Sequence, residues 1–409
     1  MKYVVLLGDG MADWAIESLG GKTPLAHAKT PNMDRIAREG TLGLIDTVPR
    51  GMKPGSDVAI LSVLGYDPAV CYTGRGPLEA ASMGVNLEPE DLAFRCNLVT
   101  LGEGPDPVMV DFTAGHITSD EAREIIRDID REMGTETLKF HPGVGYRHLL
   151  VWKGGGPEVE TTPPHDITGQ PTAAWLPKGK GAEDVLGVML RTRAILKDHP
   201  VNRRRAGLGK RQATSVWLWG QGGKPAMDPL SVKYGLSGGM ISAVDLLNGL
   251  GVYAGLEILR VPGATGYIDT DYVGKARRAL EALGEKDFVF VHVEAPDEMG
   301  HEGNLEGKVK AIEDFDGKVV GTVLEGIGRH GDYRVLVLSD HPTPIAKKTH
   351  TAEPSPFAVL CSRRDDNVRG PEGYSEEAAR RGGLVVTPGC LLMEGFIGDW
   401  RRFVEDRRR

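Results

Sequence analysis

The sequence predicts an α/β fold: a mainly parallel sheet sandwiched by helices, with a smaller α+β domain inserted into it. Three observations predict this. Short apolar runs alternate with amphipathic stretches at both ends of the chain, which is the pattern of repeated βα units. The runs at 4–7, 288–293 and 335–338 each stop at a segment bearing Asp or His. Between about 113 and 190 the alternation breaks, which is expected of a separate domain set into the first.

Taken in order, a strand at 3–8 is followed by a helix at 32–39, stopped by Gly40. Gly55-Ser56-Asp57 reads as turn and cap before the apolar helix 58–64, which Gly65 closes. Runs at 94–101 and 107–112 flank Gly102-Glu103-Gly104-Pro105 as a hairpin. A charged amphipathic helix at 119–133 and a strand at 146–152 then lead into a Gly-, Pro- and Thr-rich loop at 153–180. From about 210 the alternation returns: strand 214–219, helix 237–249, strand 256–260, helix 271–283, strand 287–293, helix 305–328, and strands 333–338 and 356–361. In the long helix Leu305, Val309, Ile312, Phe315, Val319 and Val323 share one face. Residues 1–112 and 191–409 are therefore expected to form a core domain, and 113–190 an inserted cap that carries substrate contacts and moves.

A chain of 409 residues suggests two domains, and 40% hydrophobic residues suffice for real cores. No apolar run approaches the ~18 residues that span a bilayer. The first apolar stretch meets Asp9 at once, too early for a signal peptide. The four cysteines, Cys71, Cys96, Cys361 and Cys390, are scattered, as reduced thiols would be. A cytoplasmic protein is expected. A net charge of −8 argues against nucleic acid as a partner.

The chemistry lies where the apolar runs end. Gly8-Asp9-Gly10, Asp297 with His301, and Asp340-His341 with His350 offer carboxylates and imidazoles on three strand ends, the edge where open α/β sheets bind ligands. Asp297 and His301 are four residues apart, on one face of a helix. Asp340 and His341 are adjacent, and on an extended segment would point to opposite sides, which suits two ions better than one. Carboxylate and imidazole without thiolate suit Mn²⁺, Zn²⁺, Mg²⁺ or Fe²⁺. Asp9, Asp297 and Asp340 would leave two divalent ions with surplus positive charge, a setting for a phosphate ester. Ser56 has two readings. It is an N-cap by local sequence, or a nucleophile at a helix start where phosphate is welcome, activated by a nearby ion. There is no G-x-x-x-x-G-K-[ST] loop and no complete dinucleotide fingerprint.

These segments resemble the archaeal-type branch of the 2,3-bisphosphoglycerate-independent phosphoglycerate mutases, within the alkaline phosphatase superfamily. The resemblance spans nearly the whole chain. It includes Gly8-Asp9-Gly10-Met11-Ala12-Asp13, Pro54-Gly55-Ser56-Asp57, Thr73-Gly74-Arg75-Gly76-Pro77-Leu78-Glu79-Ala80, His199-Pro200-Val201-Asn202, Trp217-Leu218-Trp219-Gly220-Gln221-Gly222 and both metal segments. It implies an alkaline-phosphatase-like core and two divalent ions, manganese first, with zinc, magnesium or cobalt as alternatives. One ion would be held by Asp297, His301 and His350, the other by Asp9, Ser56, Asp340 and His341. Ser56 would form a phosphoserine while 3-phosphoglycerate and 2-phosphoglycerate interconvert, and Arg147, His165 and Lys233 would bind this small phosphorylated substrate. Many archaeal mutases have an arginine-rich Asp-Arg-Arg-Ala-Gly-Arg segment where this chain has Asp111-Phe112-Thr113-Ala114-Gly115-His116. In that segment the chain is closer to a bacterial subgroup sometimes proposed to be a homoserine kinase, which is the alternative activity, with a metal-dependent phosphatase behind it.

Overall fold

The computed structural model describes residues 1–371 and 373–408. The chain divides into two compact units, Met1–Tyr72 with Ala226–Arg409, and Thr73–Pro225.

The first unit is built on an eight-stranded sheet. Its order is β11 (Glu257–Ile258), β10 (Gly238–Ile241), β12 (Phe288–Val293), β1 (Lys2–Gly8), β13 (Tyr333–Leu338), β14 (Ser355–Cys361), β2 (Thr41–Ile45) and β15 (Val385–Val386). The strands from β11 to β13 are parallel; β14 runs antiparallel to both β13 and β2. β12 is buried along its whole length and β13 nearly so, because helices cover both faces of a parallel sheet and its strands read as continuous Val, Leu and Phe. Val4, Leu6, Val289, Val291, Val335 and Val337 pack into one core. The register pairs Gly8 with Val293 and Leu7 with Leu338, so the carboxyl ends of β1, β12 and β13 finish level at one edge.

In the second unit the long β3 (Leu92–Leu101) pairs antiparallel with β4 (Met109–Asp111), β6 (Arg147–Trp152) and β9 (Ser215–Gly223), and β6 pairs with β5 (Leu138–His141). A short separate ladder joins β7 (Glu158–Glu160) to β8 (Lys178–Lys180). The helix Ser119–Met133 starts with a capping box between Thr118 and Glu121. It buries Ala122, Ile125, Ile126, Ile129 and Met133 against Phe94, Cys96 and Leu98 of β3. Arg95 and Asn97 alternate with those apolar residues and so face the other side of the strand.

The α/β class and the expected order of most elements hold, but the domain limits move outward from 113–190 to 73–225. The reason is pairing. The apolar runs at 94–101 and 214–219, expected in the core domain, lie in the strands Leu92–Leu101 and Ser215–Gly223, which pair with each other. The expected helix at 237–249 is a strand, Gly238–Ile241, followed by a helix, Asp245–Tyr253. The expected helix at 305–328 follows one helical path, with a π-helical stretch at Phe315–Val320. Among the described residues no helix is long and apolar enough to cross a membrane, and all four cysteines are free thiols.

Candidate active site

Asp297 and His301 lie on the helix Ala295–Glu302, which starts just after β12 with Pro296 in its first turn. Helical spacing brings them together, with His301 Nε2 3.1 Å from Asp297 Oδ2. His350 Nε2 approaches to 3.5 Å from Asp297 Oδ1 and 3.0 Å from His301 Nε2. His301 Nδ1 lies 3.1 Å from the Lys348 carbonyl. A carbonyl only accepts, so Nδ1 donates to it, and Nε2 is the nitrogen turned toward Asp297 and His350; it donates to Asp297 here and would offer its lone pair to an ion bound in its place. Burial opposes ionisation of Asp297, but hydrogen bonds from His301 and His350 outweigh it and hold the carboxyl well below its usual range. The same hydrogen bond pushes His301 up to about 9.

A second set adjoins the first, the His341 and His350 rings standing 4.3 Å apart. His341 Nε2 is 3.3 Å from Asp340 Oδ2 and 3.6 Å from Asp9 Oδ1. All three residues are fully buried, and Asp9 Oδ1 and Asp340 Oδ2 have no hydrogen-bond partner. Burial, then the charges of Asp340, Glu294 and Asp297, push the Asp9 carboxyl well above its ordinary value. Asp340 and His341 thus share one donor set instead of pointing apart. The expectation of opposite sides assumed an extended chain, whereas the backbone bends at 340–341 immediately after β13.

Ser56 faces this second set, with its Oγ 3.2 Å from His341 Nε2. The cap of the helix Ser56–Val63 is Gly55, and no side chain caps it. Ser56 is therefore the first helical residue, and its hydroxyl is spent on the site and not on the helix.

Two imidazoles with one carboxylate, and one imidazole with two carboxylates, each have donor atoms within 4.8 Å of one another. Orphaned carboxylate oxygens inside the protein are costly unless a cation meets them. The donor types and the orphaned atoms fit two divalent ions. Gly10 is also required by this packing. It adopts φ +60°, and a Cβ there would stand 2.6 Å from both Asp297 Oδ1 and Thr343 Oγ1.

Sequence reasoning missed a third set, Asp9 with His292 and Glu294. His292 sits inside the β12 apolar run, which reads as core. Its Nε2 lies 2.8 Å from Asp9 Oδ2, and its Nδ1 lies 3.2 Å from Ser242 Oγ. Burial, then Lys275, holds the imidazole well below its usual value. A neutral ring takes the Ser242 hydroxyl on Nδ1 and donates from Nε2 to Asp9, orienting that carboxylate.

In the second unit the structure brings Arg147 and His165 to one cluster with Arg75 and Arg95. Arg95 is nearly buried, its guanidinium 4.6 Å from the Trp219 ring centre and 3.7 Å from Glu79. Its Nε is the atom that faces Glu79 and makes no hydrogen bond. Burial, opposed by Glu79 and reinforced by Arg75 and Arg147, lowers its pKa. The His165 ring packs edge-on to Trp219 and Phe112, and burial with Arg75 and Arg95 nearby lowers its pKa. Arg75 lies in a motif quoted above, and Arg95 inside a strand; only the fold shows that they converge. Lys233 is not brought to either group. It sits beyond the far end of the Ser56 helix, where its ammonium donates to the Gly65 carbonyl and lies 4.6 Å from the Tyr66 ring centre. The segment 111–116, which lacks the family's arginines, is clamped by two others: Arg211 pairs with Asp111 at 2.7 Å, and Arg205 donates to the Ala114 carbonyl.

A protein of Geobacter sulfurreducens described as a probable 2,3-bisphosphoglycerate-independent phosphoglycerate mutase is 55% identical over 395 residues, covering 96% of this chain and 99% of that one. The chain belongs to the 2,3-bisphosphoglycerate-independent phosphoglycerate mutase family. The model of that family matches residues 37–202. The solved cofactor-independent phosphoglycerate mutase of Thermoplasma acidophilum superposes with TM-score 0.66 at 26% identity, covering 96% of this chain and 99% of that one. A solved protein of Pyrococcus horikoshii superposes with TM-score 0.79 at 28% identity, covering all of this chain and 97% of the other. Family membership makes the chain an isomerase.

Proposed function

We propose that this mutase interconverts 3-phosphoglycerate and 2-phosphoglycerate through a phosphoserine at Ser56, with Asp297, His301 and His350 holding one divalent ion and Asp9, Asp340, His341 and Ser56 the other. The observation that carries the reading is the Ser56 hydroxyl, 3.2 Å from His341 Nε2 and not used as the helix cap, which is Gly55. When bound, the ions supply positive charge that favours an ionised serine and neutralises the transferring phosphoryl oxygens. Ser56 Oγ attacks phosphorus in line. The bond from phosphorus to the substrate's 3-oxygen breaks, and that oxygen takes up a proton equivalent to the one Ser56 lost. Glycerate turns, its 2-hydroxyl attacks the phosphoserine, and Ser56 regains a proton. Asp9, oriented by His292, is fixed before the reaction starts, so little reorganisation is needed.

The second unit's Arg75, Arg95, Arg147 and His165 suit the anionic substrate, since clustered guanidiniums offer fork-shaped donors to carboxylate or phosphate. Lys233, occupied by Gly65, is better read as an anchor for the end of the Ser56 helix. The deeper charge balance favours manganese or zinc in sites of mixed imidazole and carboxylate.

Rapid acid quench of the metal-loaded protein during turnover, followed by peptide mass spectrometry, tests the proposal. Phosphate on the peptide containing Ser56 is the expected result. Turnover with no phosphorylated peptide at any quench time would contradict it.

A further inference from the structure

Lys308 is absent from the donor sets, yet it is completely buried on the helix Leu305–Asp314. Lysine is rarely interior unless its charge is met. Its Nζ donates to the Ala12 carbonyl at 3.2 Å, to Asp13 Oδ2 at 2.8 Å and to the Thr343 carbonyl at 2.8 Å. An ammonium has three protons, so these bonds use its whole donor capacity and leave none for a ligand. The acceptors belong to the two loops that deliver the metal donors. Ala12 and Asp13 follow Asp9 out of β1, and Thr343 lies between His341 and His350 in the segment after β13.

The loops are also joined directly. The Thr343 amide donates to the Ala12 carbonyl at 3.2 Å, and the Ile345 amide donates to Asp13 Oδ2 at 3.1 Å. Met11 and Ala12 form isolated bridges with Pro342. From this clamp Thr343 reaches across to a third element. Its hydroxyl donates to Asp297 Oδ1, the oxygen nearer His350, and lies 3.4 Å from His341 Nδ1. The path therefore runs from Lys308 through the Thr343 backbone to the aim of the Asp297 carboxylate.

We infer that Lys308 is a positioning residue for the metal centre, locking the loops after β1 and β13 together so that Thr343 orients Asp297 toward the ion held with His301 and His350. This rests on the reading that those residues hold an ion. An ordinary buried ion pair would support the fold alone; a positioning residue also sets the affinity of one ion and not the other.

The test is calorimetric titration of the metal-free protein with Mn²⁺, with circular dichroism confirming the fold. Lys308→Met should weaken one of the two Mn²⁺ equivalents by about 10–100-fold, the usual effect of removing a group that orients a metal ligand, and leave the other within about threefold. Introduced into His301→Ala, it should cause no further loss, since the affected site is already gone. Lys308→Met strands the Asp13 carboxylate, so Lys308→Met with Asp13→Asn removes both charges together. Thr343→Val keeps the ion pair and deletes only the hydroxyl, and should weaken the same equivalent. If Thr343→Val and the folded Lys308 variants bind both equivalents as tightly as the wild type, with only the melting temperature lowered, the inference is overturned. If the wild type itself binds no Mn²⁺, the two-ion reading falls, and the inference with it.

Discussion

The two units gather opposite charges. The first buries Asp9, Asp297 and Asp340 with the imidazoles of His292 and His341, sets the part-exposed His301 and His350 beside them, and leaves carboxylate oxygens there without hydrogen-bond partners. The second gathers Arg75, Arg95 and Arg147 near His165, with Glu79 as the carboxylate facing Arg95. Buried acids without hydrogen-bond partners suit a metal centre; clustered guanidiniums suit a charged substrate. Neither arrangement contributes much to stability by itself, because desolvation offsets most of the attraction between buried charges. On the function proposed above, reaction chemistry falls to the first unit and anion recognition to the second, so changes in the two should leave different kinetic signatures.

The largest effect is expected in the first unit. Ser56→Ala should lower kcat on the order of 10⁴-fold or more, as loss of a nucleophile does elsewhere, with an unchanged circular dichroism spectrum. Retention of more than about a tenth of the activity, far above that figure, would break the assignment of the chemistry to Ser56. Metal binding sharpens the same side. The purified protein should carry close to two divalent ions by elemental analysis, lose activity to a chelator and regain it with Mn²⁺. His301→Ala and His341→Ala should each weaken a different equivalent by roughly 10–100-fold or more. Full activity in chelator with no metal found would end the two-ion account.

In the second unit, Arg147→Ala should raise KM for phosphoglycerate by roughly tenfold or more, the scale of one hydrogen bond to a charged group, with a smaller change in kcat. A fall in kcat at constant KM would erase the contrast between the units. The smallest effect concerns acid stability. His148 is fully buried on β6, and its Nδ1 accepts the Gly143 amide at 3.0 Å. Burial lowers its pKa from 6.5 to about 3. The unfolded chain therefore takes up a proton between those values while the folded chain does not, so stability falls as pH drops from 6.5 toward 3. Replacing His148 with Gln should flatten the dependence of melting temperature on pH within that window, and an unchanged slope would show that the ring does not contribute.

Much of the first unit was legible because its information is local. A strand ending in Asp-Gly and a helix carrying Asp297 and His301 four residues apart each show their geometry within a few residues, whereas Ser56 reads locally as a cap that the structure gives to Gly55. What was not legible depends on pairing between distant segments. β3 and β9 are apolar strands like those of the core sheet, and only their mutual pairing assigns them to the second unit. β10 is just four residues with two glycines, too short to stand out before the helix that follows. Arg95 reads as an exposed strand residue until β6, β9 and Arg75 surround it. His292 and Lys308 read as part of an apolar run and as a solvated helix position; burial and distant acceptors give them their meaning. The Asp340-His341 expectation failed on one local assumption, that the chain stays extended past β13.

The most direct test of the account needs no mutation. Metal-loaded protein is incubated with 3-phosphoglycerate alone, without ATP and without 2,3-bisphosphoglycerate, and 2-phosphoglycerate and free phosphate are followed by phosphorus NMR. The account predicts that 2-phosphoglycerate accumulates to equilibrium with little free phosphate. Absence of 2-phosphoglycerate, together with ATP-dependent phosphorylation of homoserine or simple release of phosphate, would contradict it.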